Sequence, residues 1–142
     1  RSVRLEYPGQ PERPFLKPGE PLLVRASFDA DAPIKDLNLT LMIYDSDGNM
    51  VHGLNTDSEG FDVPTVKGPG EVVFAFDQIP LLDGDYAITL CATARDGAYI
   101  YDWHEQRYKF EVRDPERAFA STDFPVQISL EQGSVDDLAA HR

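Results

Sequence analysis

Tyr99, Tyr101 and Trp103 stand two positions apart in a segment that alternates like a β-strand. A strand turns successive side chains to opposite faces, so this spacing predicts all three rings on one face. Two roles suit such a row. Large aromatics dominate sandwich cores, which makes core packing the plainer reading. A row left open to solvent would instead be a stacking platform for sugar rings, because tyrosine and tryptophan combine an apolar face with a polar edge. Tyr108 and Phe110 return on what reads as the next strand. Asp102 and His104 face away from Trp103, so they form the surface pair if the rings are core. A second candidate surface takes the non-core positions of two other strands, Arg25, Ser27, Asn38, Thr40, Met42 and Tyr44. Together these would mix apolar and hydrogen-bonding groups, although each alone reads most simply as solvent-facing decoration.

Catalytic chemistry is hard to assemble. His104-Glu105 opens like a zinc-protease motif, but Tyr108 stands where the second histidine is needed. Asp45-x-Asp47-x-Asn49 opens like a calcium loop, yet Met50 and Thr56 occupy the positions that require glycine and glutamate. The Asp-rich loops, with Asp29, Asp31, Asp83 and Asp85, read as solvated turns. There is no phosphate-cradling P-loop and no Gly-x-Ser-x-Gly elbow. The histidines are His52, His104 and the tail residue His141, a poor basis for a nucleophilic triad. Cys91 lies mid-strand between Thr89 and Thr93 and reads as a small packed residue. Neither a metal nor a cofactor is called for.

Composition narrows the partners. The chain has 142 residues, enough for one domain with a proper core and too few for two ordinary ones. Lys and Arg number 13 against 25 Asp and Glu, a net charge of −12. Binding to nucleic acid or to an anionic membrane surface needs clustered cations, so both are disfavoured. No apolar run reaches the roughly 20 residues of a membrane span. One cysteine fits a reducing compartment. The chain opens at Arg1, already in a strand pattern, and is expected to be a domain of a longer protein or a processed chain.

Strands must position these residues. Period-two alternation runs through Val3–Tyr7, Leu22–Phe28, Leu37–Ile43, Val72–Phe76, Tyr86–Ala92 and Tyr108–Val112. The intervals are turn chemistry. Asp45-Ser46-Asp47-Gly48-Asn49 fits a type I turn with Gly48 left-handed, and Asp96-Gly97 signals a two-residue hairpin. Pro18-Gly19, Pro69-Gly70 and Asp83-Gly84 punctuate three strand openings. Eleven prolines and ten glycines leave little room for a long helix. Seven to nine strands at these spacings predict an all-β antiparallel β-sandwich of immunoglobulin or jelly-roll type. The sandwich is expected over 1–133, with a last strand at about 125–131. That strand closes the fold or is exchanged with a neighbouring protomer, and 134–142 form a short tail.

Several segments in order carry a resemblance. They are Phe15-Leu16-Lys17-Pro18-Gly19-Glu20-Pro21-Leu22, Ile34-Lys35-Asp36-Leu37-Asn38-Leu39, and Ile43-Tyr44-Asp45-Ser46-Asp47-Gly48-Asn49-Met50-Val51 with Gly53-Leu54-Asn55-Thr56. Leu81-Leu82-Asp83-Gly84-Asp85-Tyr86 and Phe110-Glu111-Val112 follow. The series, over roughly residues 5 to 130, resembles the C-terminal domain of Wzt-type ATPases. Those are nucleotide-binding subunits of ABC transporters that export O-antigen and related polysaccharides. The resemblance implies a non-catalytic, cytoplasmic carbohydrate-binding module at the inner face of the plasma membrane. Its expected partners are the lipid-linked glycan, a nucleotide-binding domain of the same protein, the membrane subunit and a second copy. It has no nucleic acid partner. Sugar faces would stack on Tyr44, Tyr99, Tyr101 or Trp103, and Arg25, His52, Asn55 or His104 would supply hydrogen bonds. Gly53 to Thr56 is expected to be a structural turn. The alternative from another class is a dimerisation module without glycan binding. A small jelly-roll hydrolase is the third reading and lacks a credible nucleophile and base.

Overall fold

The structure, a computed structural model, describes residues 3–8, 14–113 and 126–132. Eight strands follow in order: β1 (Val3–Glu6), β2 (Leu22–Ile34), β3 (Leu37–Tyr44), β4 (Met50–Asn55), β5 (Val66–Phe76), β6 (Gly84–Ala94), β7 (Ile100–Val112) and β8 (Val126–Gln132). They form two four-stranded sheets, β1-β2-β5-β8 and β4-β3-β6-β7. Every neighbouring pair is antiparallel. This is the all-β sandwich that the alternation predicts.

The core is built from the alternating positions. Leu22 and Val24 of β2, Leu41 and Ile43 of β3, Phe74 and Phe76 of β5, and Ile88 of β6 are all buried between the sheets. Tyr86 stacks on Phe110 with ring centroids 5.4 Å apart, and the Tyr86 hydroxyl donates to the Leu82 carbonyl at 2.7 Å. Burial of such a ring is favourable because its polar tip keeps a partner. A smaller cluster of Ala30, Leu37, Val63 and Val66 closes one end.

Four details depart from the expected pattern. β4 is a strand of its own that includes Gly53 to Asn55, so the turn begins only at Thr56. β7 is one long strand through both Trp103 and Phe110, not two. Pro69-Gly70 lies inside β5, because β8 pairs with β5 only as far as Gly70 and a missing N–H costs nothing beyond that point. The Asp96-Gly97 connection is wider than two residues: Ala94 N donates to Tyr99 O at 2.8 Å, Gly97 N donates to Ala94 O at 2.9 Å, and Gly97 is left-handed at φ 78°. Gly48 takes its expected left-handed place at φ 84°, with Asp45 Oδ1 accepting from the backbone N of Asp47 and Asn49. β8 pairs with β5 of its own chain. The segment before β8 and the 134–142 tail lie outside the described residues.

Candidate functional site

β7 is an edge strand with two breaks in its pairing to β6. Ala92 pairs with Asp102 and Thr93 with Ile100, which leaves Tyr101 as an extra residue. Leu90 then pairs with His104 and Ile88 with Tyr108, so three residues of β7 span the single residue Thr89. Gln106, at φ 43°, caps this second bulge by donating its backbone N–H to Thr89 Oγ1 at 2.7 Å. Bulges re-aim side chains and spoil an edge for further pairing.

The first bulge undoes the expected single row of aromatics. Two neighbours in a bulge share a side, and Tyr101 turns with Asp102 and His104 toward the space between the sheets. Tyr99 follows it, its ring edge-on to Tyr101 at 4.7 Å. Trp103 faces the opposite way, outward. None of the three is core: Tyr99 is 60% exposed, Tyr101 41% and Trp103 44%. The core reading of these rings is therefore overturned, while Tyr108 and Phe110 farther along β7 do join the core.

Trp103 heads a row that crosses the whole outer face of its sheet. The register aligns Asn55 with Thr40, Thr40 with Cys91 and Cys91 with Trp103. The next row holds Gly53, Met42 and Thr89. Thr40, Cys91 and Thr89 lie in the middle of the face, the last two buried, with Met42 beside them, and the indole stands at its edge. Glu105 Oε1 accepts from Trp103 Nε1 at 2.6 Å and fixes the ring. In the sequence Glu105 reads only as the second residue of the His104-Glu105 motif, and its bond to Trp103, two positions away, went unseen. Burial pushes the Cys91 thiol up to about 11, with a smaller opposing effect from its Thr40 hydrogen bond. Tyr44 lies outward at the end of β3, its hydroxyl donating to Met42 Sδ at 3.5 Å. Asn55 Oδ1 accepts from Ser58 N at 2.7 Å, so Asn55 also shapes the turn after β4.

The other candidates fall elsewhere. Arg25 lies on the outer face of the opposite sheet, where it donates to Glu6 at 3.2 Å and Glu71 at 2.9 Å and joins β1, β2 and β5. Hydrogen bonds to these two carboxylates raise its pKa. The surface expected to combine Arg25 and Ser27 with Asn38, Thr40, Met42 and Tyr44 is thus split between two sheets, because β2 and β3 are consecutive in sequence but never paired. His52 shares the inward parity of its partner Ile43, and burial lowers its pKa, Glu59 opposing. His104 also points inward, with Nε2 3.0 Å from Asp102 Oδ2 and Nδ1 against the Tyr108 hydroxyl. Of the eight candidates, Tyr44, Asn55 and Trp103 share the outer face, with Asn55 and Trp103 on its two opposite edge strands. Among the described residues no three His, Cys, Asp or Glu converge as metal ligands, and no helix is long and apolar enough to cross a membrane.

Comparison with known proteins agrees with this architecture. The O-antigen export system ATP-binding protein RfbB of Myxococcus xanthus is 30% identical over 82 residues, 58% of this chain. The chain spans 19% of that relative's length. The crystal structure of the C-terminal domain of Wzt superposes with a TM-score of 0.63 at 20% identity, covering 84% of this chain and 81% of that one, a likeness of fold. The family model of the Wzt C-terminal domain matches residues 1–124, and with the sandwich in place the chain belongs to that family.

Proposed function

We propose that this domain is a non-catalytic carbohydrate-binding module of a polysaccharide-exporting ABC transporter ATPase, and that it recognises a lipid-linked O-antigen-type glycan for export. Family membership and the RfbB relative support the transporter setting. The observation that carries glycan binding is Trp103, held by Glu105 and left partly open at the edge of the outer face, in one row with Cys91 and Thr40. A planar apolar ring fixed beside hydrogen-bonding groups suits the apolar face of a sugar. In this setting the domain works at the cytoplasmic side of the inner membrane, beside its nucleotide-binding domain and the membrane subunit, as one of a pair. Few buried contacts on an open face keep the affinity modest.

The test is calorimetric and NMR titration of the domain with its host's export polysaccharide. Saturable binding should shift the amides of Thr40, Cys91 and Trp103. Trp103→Ala should abolish binding while changing stability by no more than about 0.5 kcal/mol, as expected for an exposed side chain. No binding to the terminally complete glycan would sink the reading. The assembly role would then lead, supported by the edge position of β8 and by exposed Met50 and Val51 on β4.

A further inference from the structure

The second bulge of β7 changes which residues of that strand are neighbours. Ile88 and Leu90 of β6, two positions apart, face Tyr108 and His104, four positions apart. In an unbroken strand four positions span about 13 Å, yet here the rings of His104 and Tyr108 lie 5.8 Å apart and share a hydrogen bond. Trp103 and Arg107 are also four positions apart across this bulge. Trp103 pairs with Cys91, and Arg107 falls at the level of Thr89, so the bulge carries Arg107 into the row beside the indole. Bulges re-aim side chains and gather beside binding sites. This one is also strained, with the non-glycine residue Gln106 at φ 43°. Such a backbone persists only where its surroundings over-determine it. Three contacts hold it: Gln106 N–H to Thr89 Oγ1 at 2.7 Å, His104 to the Tyr108 hydroxyl, and Trp103 Nε1 to Glu105 Oε1 at 2.6 Å.

Arg107 itself is exposed, and among the described residues no hydrogen bond or ion pair holds its guanidinium. Arg25, Arg95 and Arg113 are by contrast engaged with carboxylates. A guanidinium offers five N–H donors in a rigid fork, which suits a pair of oxygens. An acidic substituent or the hydroxyls of a sugar would supply them. Glu105 lies on the same bulge and the chain carries a net charge of −12, so an acidic group meets repulsion there and a hydroxyl does not. Resting on the glycan reading above, we propose that Arg107 is the specificity-determining residue of the outer-face site, donating to hydroxyl oxygens of a neutral sugar whose ring lies on Trp103. The indole offers area to any sugar with an apolar face. The guanidinium selects among them, because a site built to hydrogen-bond a hydroxyl rejects the analogue that lacks it.

The experiment is calorimetric titration of the 142-residue chain with its host's export polysaccharide, at about 20 mM and about 500 mM salt. Arg107→Met keeps an unbranched stem and removes the donors, and it should weaken binding roughly ten-fold. Arg107→Lys should recover only part of this, because an ammonium lacks the fork. Lys109→Met is the control, an exposed cation of the same strand that pairs with Ala87 beyond the bulge, and it should change affinity less than about two-fold. Wild-type affinity should be nearly the same at both salt concentrations. The urea midpoint and the Trp103 emission of the free chain should be unchanged in Arg107→Met, and a shift in either assigns Arg107 to the fold instead. Undiminished binding by Arg107→Met, an equal loss in Lys109→Met, or an affinity that falls steeply with salt overturns the proposal, the last because it puts an acidic group at the guanidinium. If Trp103→Ala loses binding and Arg107→Met does not, this inference alone fails. If the wild type binds nothing, the glycan reading fails and takes this one with it.

Discussion

Cys91 and His52 are two groups whose protonation the fold alters in opposite directions. Cys91 is the cross-strand partner of Trp103, and its thiol stands at about 11 against an ordinary 9.0. The thiolate is the reactive form, so at a given pH the folded chain presents about 100-fold less of it. Alkylation of the native chain should therefore run about 100-fold more slowly than that of the urea-unfolded chain, with an equal rate showing Cys91 to be accessible and ordinary. His52 is shifted the other way. Burial holds its folded pKa below the unfolded 6.5, so the folded chain binds fewer protons. That contribution to stability is complete above about pH 6.5 and is lost as pH falls toward the folded value. Urea midpoints at about pH 7 and about pH 5 should differ less for His52→Gln than for the wild type.

At the scale of elements, β7 carries most of what is unusual. Its second bulge hangs on the bond from Gln106 N–H to the buried Thr89 hydroxyl. Thr89→Val keeps the shape and removes the acceptor, and an unsatisfied buried donor costs about 1–3 kcal/mol. Hydrogen exchange should quicken at Gln106 first, and unchanged exchange there would show that the bulge stands without Thr89. The same strand shows how far the sequence could be read. Leu37, Leu39, Leu41 and Ile43 of β3 announced both strand and inward face, because an unbroken period of two carries that information. β4 escaped notice because an edge strand buries little, and only Leu54 of its six residues is buried. The row Tyr99, Tyr101, Trp103 was legible as aromatic and misread as one face. A bulge adds a residue to the backbone without changing the composition that surrounds it. Arg25 was grouped with Tyr44 for a related reason: alternation fixes a face within its own sheet and says nothing of which sheet a strand joins.

For the whole molecule, net charge constrains partners more than any single residue does. At −12 the chain repels a polyanion at long range, and Arg25, Arg95 and Arg113 among its cations already hold carboxylates. A glycan that is neutral or carries few negative charges should bind measurably at physiological ionic strength. A uronate-rich or heavily phosphorylated polymer should not, and micromolar affinity for one would refute the expectation. The two sheets also divide the labour. The β1-β2-β5-β8 sheet ties its outer face with the Glu6, Arg25 and Glu71 cross-strand pairs, whereas the other outer face keeps a ring in the open.

That open ring is the chain's one tryptophan. Unfolding carries an indole that is already 44% exposed fully into water, so its emission should move only modestly, toward the red. A molecule settling on the outer face would dry the same ring and shift its emission toward the blue. The protein thus carries an intrinsic optical probe whose colour should move one way on denaturation and the other way when a sugar lands on its surface.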